Sequence, residues 1–524
     1  MSGPTHPAAA GPDLVADVLV IGGGPAGCWA ALSAMEAGAS VVLAEKGYVG
    51  TAGATAAGNS SIVYTLPASA GREKAIAQRV ARGLGLVAAD TVDRVFDEVY
   101  RQLNRLADWG YGFPKTEDGT SYRGSMRGVD YLRFLRQRLV KGGVRILDQS
   151  PALDLLVADG VVAGARGSDR RTGAPWTVRS AATVIASGGC AFLSGALGTR
   201  NLTGEGYLMA AEAGARFSGM DFTGQYGIAP RHTSVTKGII YFWASFFDEA
   251  GARLESKGDR QDIVANGLGR GRVFAMLDKA SPRVQSGMRS QANIFAPFDR
   301  LGIDPFTQRF EVELIYEGTV RGNGGLLIGR DTATDVPGLF AAGDAAAREE
   351  MAGATSGGGG PNASWALATG TWSGRAAAAF ARGIGAAHGD RRAATPAPAA
   401  EGRGDAADTA AVRAAIQREI LPLGRSFFRS TAGLEAASGA LETAWRDAGA
   451  LGRTDAIARR ETQAMAATAR WIVASARRRG ESRGIHRLAD RPARDDGQLH
   501  RILSGGLDRV FAAPVGARHM EAAE

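Results

Sequence analysis

Three glycines and one acidic residue near the start of the chain have the spacing that grips a dinucleotide. Gly22, Gly24 and Gly27 form the pattern G-x-G-x-x-G, and Glu45 follows them. In such a motif the first glycine permits a tight turn, the second lets the main chain approach a pyrophosphate, and the third lets a helix pack closely on a strand. An acid in the place of Glu45 accepts hydrogen bonds from a ribose. These residues predict a dinucleotide-binding site.

The elements that must position this motif occur in the required order. Val18 to Ile21 is a short apolar run rich in β-branched residues, which is typical of a buried parallel strand. An Ala-, Leu- and Met-rich helical segment follows the glycines and ends near Gly38, and a second apolar strand from Ser40 to Ala44 leads into Glu45. An ordinary tight turn would not need this whole context. Three neighbours within or beside the motif are therefore included among the predicted binding residues: Pro25, Ala26 and Lys46.

The composition narrows the classes of protein. The chain has 524 residues, enough for more than one domain, and its 45% hydrophobic and 22% charged residues are typical of a soluble globular protein. The net charge of +8 comes largely from arginine, much of it between Arg446 and Arg494, where solvated helix faces explain it. No basic stretch interleaves aromatic residues in a nucleic-acid-binding module, so nucleic acid is not an expected partner. An acidic substrate or partner stays open.

Cysteine usage and the missing apolar runs point to an intracellular location. Cys28 and Cys190 are too few to hold an iron–sulfur cluster or a disulfide framework, and they fit a reducing compartment. We predict no metal site. The first residues carry no basic region before an apolar core, and no uninterrupted apolar run approaches about eighteen residues. We therefore expect no signal peptide and no membrane span, and we expect a cytoplasmic protein.

Further elements follow the dinucleotide motif. Residues 72–109 and 128–141 have helical patterns, and VADGVVAGAR is typical of a β-hairpin that turns at Asp159-Gly160. A buried strand from Ala182 to Ala186 runs into a second glycine turn, Ser187-Gly188-Gly189, which is consistent with another contact to the cofactor.

Four later segments resemble the fumarate reductase/succinate dehydrogenase flavoprotein family. They are NLTGEGYLMAAEAGARFSGMDFTGQ (201–225), VPGLFAAGDAAA (336–347), GATSGGGGPNASWALATG (353–370) and RGESRGIHRLADRPARDD (479–496). The family includes the L-aspartate oxidases, the 3-ketosteroid dehydrogenases and the flavoprotein subunit of adenylylsulfate reductase. The resemblance covers roughly residues 14 to 500, and the combination is far more specific than any one motif.

The resemblance implies an α/β fold with three parts. These are a Rossmann-type FAD-binding domain, an inserted α+β cap domain that places a substrate against the flavin, and a C-terminal helical domain. The expected bounds are 14–221 and 319–385 for the FAD-binding domain, 222–318 for the cap, and 412–510 for the helical domain. Residues 1–13 are expected to be disordered, and the Ala/Gly/Pro-rich stretch 386–411 is expected to be a linker.

The resemblance also implies that the dinucleotide is FAD. Besides the residues of the first motif, it assigns further cofactor contacts to Thr51, Ala57 and Gly58 of a small-residue loop, and to Glu205, Asp344 and Ser364. Ser364 precedes a helix whose N-terminus can stabilise negative charge near the flavin ring. Family members with covalent FAD carry a histidine within that loop, in the segment before its A-x-G. This chain has Thr51-Ala52-Gly53-Ala54 there, so we expect non-covalent FAD.

Four departures from the family pattern bear on the substrate. Four residues that the family pattern leads us to expect are missing. They are the histidine after Gln225, the arginine of an R-G-E-G-G segment, the histidine before the glycine pair of TVRGNGG (319–325), and the arginine of the 353–360 loop. Fumarate and succinate enzymes use such residues to hold two carboxylates and to deliver a proton. A C4-dicarboxylate substrate is therefore not expected.

The catalytic candidates are ionisable residues in segments expected to line the cleft between cap and flavin. Tyr226 and Arg321 rank first, because they stand beside the glutamine and the glycine pair at which the family places functional side chains. His232 is a third candidate, and Arg231, Lys237 and Arg289 are further ones. Each has a simpler explanation as a core residue or a solvated surface residue.

Two functions stay open from the sequence. The first is an FAD-dependent oxidoreductase that moves a hydride equivalent to or from a small organic substrate. The second is an electron-transferring flavoprotein subunit that works with an iron–sulfur partner, for which the basic helical domain would suit an acidic docking surface. A flavoprotein that has lost its substrate is a third alternative, and an oligomer is compatible with each.

Overall fold

The computed structural model describes residues 12–116, 118–236, 238–256, 258–385, 408–452 and 455–515. Most of the expected disordered N-terminus (1–13) and most of the expected linker (386–411) lie outside these ranges, as does Lys237. No helix within the described ranges is both long enough and apolar enough to cross a membrane.

The first 221 residues contain nine strands and six helices among the described residues. The strands are β1 (Asp13–Ile21), β2 (Val41–Ala44), β3 (Asn59–Ser61), β4 (Ser125–Arg127), β5 (Arg145–Leu147), β6 (Ala152–Ala158), β7 (Val161–Ser168), β8 (Pro175–Ile185) and β9 (Phe217–Ser218). The helices are α1 (Pro25–Glu36), α2 (Gly53–Ala56), α3 (Ala70–Arg82), α4 (Ala89–Asp108), α5 (Gly128–Lys141) and α6 (Glu205–Glu212).

The remaining elements fall into two groups. Up to Tyr316 they are β10 (Tyr226–Pro230), β11 (Ser245–Phe247), β12 (Arg253–Leu254), α7 (Arg260–Leu268), β13 (Val273–Met276), α8 (Pro282–Arg289), α9 (Ala292–Leu301) and β14 (Phe310–Tyr316). After it they are α10 (Gly318–Arg321), β15 (Gly325–Leu326), β16 (Leu339–Ala341), α11 (Glu349–Ala352), α12 (Gly359–Ile384), α13 (Thr409–Ile420), α14 (Leu423–Ser426), α15 (Thr431–Gly449), α16 (Ala456–Arg478), β17 (Ile502–Gly505) and β18 (Phe511–Pro514).

A central sheet of seven strands carries the glycine motif. Strand β1 pairs in parallel with β2 on one side and with β8 on the other, and β5 and β16 extend the parallel part. Strands β6 and β7 form the predicted hairpin, with Asp159 and Gly160 in the left-handed region at its turn. The apolar run Val18–Ile21 is buried, as its composition predicts for a strand covered on both faces.

Helix α12 lies against helix α1 at unusually short range. A Cβ atom on Gly370 would stand 2.3 Å from the carbonyl oxygen of Ala26, and one on Gly374 would stand 2.1 Å from that of Ala30. Only glycine allows two backbones to approach so closely. This contact fixes α12 beside α1, which follows the glycine turn.

The helix predicted over 72–109 is two helices, α3 and α4. Leu84 (φ 53°) and Gly85 (φ 92°) between them adopt left-handed backbone conformations, which end the first helix. Gly83 and Gly85 stand at this break, and the prediction of one continuous helix did not take them into account.

A second sheet, in the order β10-β14-β13-β11-β12, lies within residues 222–318 and packs with α7, α8 and α9 around its own apolar core. A third sheet joins distant parts of the chain, because β9 pairs with β15 and with β17 of the C-terminal β17–β18 hairpin. The hairpin extends a region expected to be helical. Next to it, the ring of Trp471 in α16 stacks on Phe217 with 4.2 Å between centroids.

Candidate functional site

A cavity of about 1340 Å³, counted with the solvent that enters it, lies at the carboxyl ends of β1, β2 and β8. Ligands of open α/β sheets bind at this edge. Among the lining residues are Gly22, Gly24, Pro25, Ala26, Glu45 and Lys46 of the first motif, Ser187 and Gly188 of the second glycine turn, Glu205, Arg321 and Asp344. The structure thus brings together most of the residues predicted to bind the cofactor.

The glycine turn leaves open space where a phosphate would lie. Gly22 has a φ of 110°, which allows the tight turn. Its N–H donates to the carbonyl of Ala44 at 2.8 Å. A Cβ atom on Gly24 would meet no protein atom within 4 Å, so it would project into free space beside this cavity-lining residue. Gly27 does not line the cavity. A Cβ there would stand 1.8 Å from the carbonyl oxygen of Gly22, so its absence permits the close approach of helix and turn.

Glu45 stabilises the turn from the end of β2. Its two carboxylate oxygens accept hydrogen bonds from the N–H groups of Gly23 at 2.6 Å and of Gly47 at 2.7 Å. Burial raises the pKa of the Glu45 carboxyl, and these two hydrogen bonds act against the rise. Each carboxylate oxygen has a further lone pair, so Glu45 can still accept hydrogen bonds from a ribose at the cavity wall.

Lys46 and Glu205 form a charge cluster with a third residue that the sequence did not suggest. The ammonium group of Lys46 pairs with Glu205, pairs with Glu461 of α16 at 2.8 Å, and donates to the hydroxyl of Thr203 at 2.8 Å. Burial acts to lower the pKa of Lys46, but the two carboxylates outweigh it, and the pKa is raised. Burial acts to raise the pKa of Glu205, but Lys46 outweighs it, and the pKa is lowered. Both groups are therefore charged near neutral pH.

Asp344 and Arg348 hold the segment that carries Arg321. The guanidinium of Arg348 is fully buried and donates to the carboxylate of Asp344 at 2.7 Å. It also donates to three backbone carbonyls, of Thr319 at 2.9 Å, Val320 at 2.9 Å and Gly322. Burial raises the pKa of Asp344, and Arg348 and Arg321 act against this rise. No sequence pattern singled out Arg348, since a charged residue after an Ala-rich turn is usually solvated.

Arg321 lies at the wall of the cavity, at the end of α10. Its side chain is 26% exposed, and its Nε is 3.7 Å from a carboxylate oxygen of Glu317, one turn earlier. The rest of the guanidinium can turn to a ligand.

Tyr226 and His232 lie elsewhere. The Tyr226 hydroxyl donates to the backbone carbonyl of Leu421 at 2.9 Å, and its ring packs edge-on against Tyr316, so it serves as a core contact between β10 and the C-terminal helices. Burial raises its pKa. His232 is exposed in the turn after β10, and its backbone N–H donates to the carboxylate of Glu313 at 2.8 Å. Neither residue is among those that line the cavity.

In the small-residue loop, residues adjacent to the predicted ones line the cavity. Ala52, Gly53, Ala54 and Thr55 line the cavity, whereas Thr51 is exposed and Gly58 is buried, with its carbonyl accepting the N–H of Gly128. Ala57 lies in the same loop, outside the cavity wall.

Asn362 lines the cavity where Ser364 was predicted to do so. The Ser364 hydroxyl is buried and accepts the backbone N–H of Val63 at 3.1 Å. Asn362, in the first turn of α12, is 7% exposed, and neither atom of its side-chain amide has a hydrogen-bond partner among the described residues. A buried amide without a partner is costly, so this one fits a ligand with complementary donor and acceptor groups. The residue stands two positions before the predicted serine, and only its polarity in a glycine-rich loop could have indicated it.

Comparison with known proteins bears on the same residues. Residues 17–234 match a family model described as FAD binding domain, and residues 427–504 match one described as fumarate reductase flavoprotein C-term. L-aspartate oxidase of Mycobacterium leprae is 29% identical over 527 residues, covering 91% of this chain and 93% of that protein. A fumarate reductase (CoM/CoB) subunit of Methanothermobacter marburgensis is 26% identical over 262 residues, covering 47% of this chain and 48%, about half, of that protein.

Solved structures share the fold over nearly the whole chain. Quinol fumarate reductase of E. coli has a TM-score of 0.78 at 20% identity, covering 98% of each chain. Adenylylsulfate reductase of Archaeoglobus fulgidus has a TM-score of 0.74 at 18% identity, covering 96% of each chain. These matches confirm the predicted α/β fold with a Rossmann-type FAD-binding domain and C-terminal helices. The matched FAD binding domain includes the glycine turn, Glu45 and Glu205, so the predicted cofactor, FAD, is confirmed.

Proposed function

We propose that this chain transfers a hydride equivalent between non-covalently bound FAD and a small organic substrate other than succinate or fumarate. The premise is that the chain belongs to the fumarate reductase/succinate dehydrogenase flavoprotein family and is an FAD-dependent oxidoreductase. The observation that carries this proposal is the placement of Arg321 and Asn362. They come from two separate helices, α10 and α12, and line the same cavity as the glycine turn.

The residues of the cavity fit FAD. The free space at Gly24 suits a pyrophosphate, the Glu45 carboxylate suits the adenosine ribose, and Asp344 suits the ribityl hydroxyls. The unpartnered amide of Asn362, at the N-terminus of α12, suits the polar edge of the flavin ring, which has both donors and acceptors. When bound, FAD supplies the acceptor or donor of the hydride equivalent.

The side chains of this protein then supply position and charge. The guanidinium of Arg321 offers several N–H donors to a carbonyl or anionic group of the substrate. Glu317 restricts its orientation from one side, and Arg348 fixes the backbone beneath it through three carbonyl oxygens. Such preorganised donors lower the free energy of a state in which negative charge develops.

The proposed substrate carries fewer than two carboxylates. Four of the family positions that serve a dicarboxylate lack the expected histidine or arginine, among them the loop at 353–360. A second carboxylate would lose its hydration without a partner, at roughly several kcal/mol. Although several relatives are named L-aspartate oxidase, the same reasoning disfavours L-aspartate.

Anaerobic stopped-flow measurement of flavin absorbance tests the proposal. We expect at least one compound from a panel of monocarboxylates, hydroxy acids and amino acids to reduce the flavin, and we expect succinate and L-aspartate to reduce it slowly. Fumarate should reoxidise the dithionite-reduced protein slowly. Rapid reaction with any of these three C4-dicarboxylates would contradict the substrate assignment.

The alternative is an electron-transferring chain that works with an iron–sulfur partner. It draws support from one relative that is named as a subunit of a fumarate reductase and from the net charge of +8. It predicts that a ferredoxin-type protein exchanges electrons with the isolated chain faster than any small molecule on the panel does. The same instrument measures both rates.

A further inference from the structure

Arg79 is a buried cation for which the described residues supply no counter-charge. It lies in the last turn of α3 and is 8% exposed. One terminal nitrogen donates to the hydroxyl of Thr355 at 3.0 Å, and the Nε is buried with no hydrogen-bond partner among the described residues. No carboxylate of those residues lies within ion-pair distance of it. Burial and the neighbouring Arg82 lower its pKa.

The same helix provides a comparison. Arg72 is 4% exposed, and its guanidinium pairs with two aspartates of α4, Asp93 and Asp97, each at 2.7 Å. That arrangement is the usual one for a buried arginine, because an ionised group loses much free energy when it leaves water unpaired. Arg79 has one neutral hydroxyl in place of two carboxylates.

A cation at the end of a helix gains from the helix dipole, but this does not explain the burial. Arg82 occupies the same turn, receives the same benefit and is exposed. The acidic residues nearest in the chain to the loop that Arg79 contacts already have partners. Glu349 lies beside Ser218 and Arg501, and Glu350 accepts from Thr91 and pairs with Arg501.

Arg79 contacts the loop that leads into the FAD cavity. Thr355 belongs to the segment 353–358, which continues directly into α12 and its cavity-lining residues Gly359 and Asn362. The same loop also contacts Asn323, whose amide donates to the carbonyls of Gly353 at 2.5 Å and Thr355 at 2.8 Å.

Asn323 in turn stands two residues after Arg321. The 353–358 loop therefore contacts both Arg79 and the segment that carries Arg321, and the residues that follow the loop line the cavity. The residue directly after α3 is joined to the same loop, because the N–H of Ala354 donates to the carbonyl of Gly83 at 3.1 Å.

We propose that Arg79 is a specificity-determining residue that binds one oxyanion group of the substrate, a carboxylate or a sulfo group, beside the 353–358 loop. The inference rests on the proposed function and narrows its substrate to a small molecule with a single anionic group. An anion there supplies the missing counter-charge and accepts hydrogen bonds from the free donors of the guanidinium in a fork geometry.

The test uses the FAD-loaded protein, with Arg79→Gln as the variant and Arg82→Gln as the matched control in the same turn. Glutamine keeps a donor for Thr355 and removes the charge. Acetate and sulfate serve as probes against chloride at equal ionic strength. The measured quantities are the flavin difference spectrum and the thermal midpoint of unfolding.

We expect wild type and Arg82→Gln to bind a probe with similar dissociation constants, and Arg79→Gln to bind it at least tenfold more weakly. Without the probe, Arg79→Gln should unfold at the same temperature as wild type or higher, because an unpaired buried charge has been removed. A preference for acetate identifies a carboxylate, and a preference for sulfate identifies a sulfo group.

Two results would overturn the inference. One is equal probe binding by wild type and Arg79→Gln, including no binding by either. The other is a lower unfolding temperature of Arg79→Gln without any change in probe binding, which would assign Arg79 to holding the loop. The proposed function fails separately, if no small molecule of the donor panel reduces the FAD of the wild-type protein.

Discussion

Lys46, at the end of strand β2, forms an ion pair of 2.8 Å with Glu461 of helix α16. Its other partner, Glu205, begins helix α6, and Arg413 of helix α13 pairs with Glu461 at 2.9 Å. The C-terminal helices therefore contact the dinucleotide site directly, through a chain of four charges.

The first prediction concerns the pH dependence of this cluster. The pKa of Glu205 is lowered in the folded protein, so its contribution to stability is present above its unfolded pKa of about 4.3 and is lost as the pH falls through the folded value. The pKa of Lys46 is raised, so its contribution is present below about 10.4 and is lost as the pH rises through the folded value.

Lys46→Met should therefore lower the thermal midpoint most between about pH 5.5 and 9, and the gap to wild type should narrow in acid. Differential scanning calorimetry across this pH range measures the thermal midpoints of Lys46→Met and of wild type. Glu435→Gln, which removes an exposed ion pair with Arg477, is the control and should change little at any pH. A gap that stays constant down to about pH 3 would contradict the assignment of charge to Glu205.

The second prediction concerns the glycine turn. Purified wild-type protein should be yellow and should release its FAD on precipitation with trichloroacetic acid. The segment Thr51-Ala52-Gly53-Ala54 has no histidine that could bind the flavin covalently. Gly24→Val should yield folded protein without FAD, because the side chain would occupy the space beside the turn into which its Cβ would project. Flavin absorbance and circular dichroism measure the two properties.

Gly439→Val in the exposed part of helix α15 is the matched control, and it should retain FAD. Flavin that stays with the precipitated chain would show a covalent link. Full FAD content in Gly24→Val would place the pyrophosphate elsewhere.

The third prediction separates Asn362 from Ser364. Asn362→Ala should weaken FAD binding roughly tenfold or less, as expected for about 0.5–1.5 kcal/mol per hydrogen bond lost, and should not destabilise the protein without cofactor, where the amide has no partner. Ser364→Ala should leave the affinity for FAD unchanged and should destabilise the protein without cofactor, because the hydroxyl of Ser364 accepts a hydrogen bond from the backbone N–H of Val63. Fluorescence titration of apo-protein with FAD and thermal melts measure both. Equal FAD affinity in Asn362→Ala and wild type would remove the residue from the site.

The sequence predicted those parts of the site that depend on local geometry. Gly22 must adopt a positive φ, Gly24 must leave space, and Glu45 must end a strand, and each requirement limits the residue type at a fixed spacing. The resemblance placed Glu205 and Asp344 at the cavity for the same reason, since they occupy short motifs around turns.

The residues that the sequence did not reveal depend on contacts between distant segments. Arg348 and Glu461 are charged residues in Ala- and Arg-rich stretches, and only the assembled fold shows that Arg348 is buried and that Glu461 pairs with Lys46. Tyr226 was selected for its position in a motif, but the direction of its side chain is set by pairing of β10 with β14, which joins residues far apart in the chain.

The last prediction concerns Arg321, which has the largest expected effect on catalysis. Its guanidinium lines the cavity, and Arg348 holds the backbone that carries it. Removal of one preorganised donor of this kind typically costs about 2.7–4 kcal/mol of transition-state stabilisation. Arg321→Met should keep FAD and the thermal midpoint within the range of wild type, but it should slow flavin reduction by the substrate roughly a hundredfold or more. Arg330→Met, which removes an exposed arginine paired with Asp90, is the control and should react at the wild-type rate. If Arg321→Met also reacts at that rate in anaerobic stopped flow, Arg321 faces solvent during the reaction and another group must complement the charge that develops.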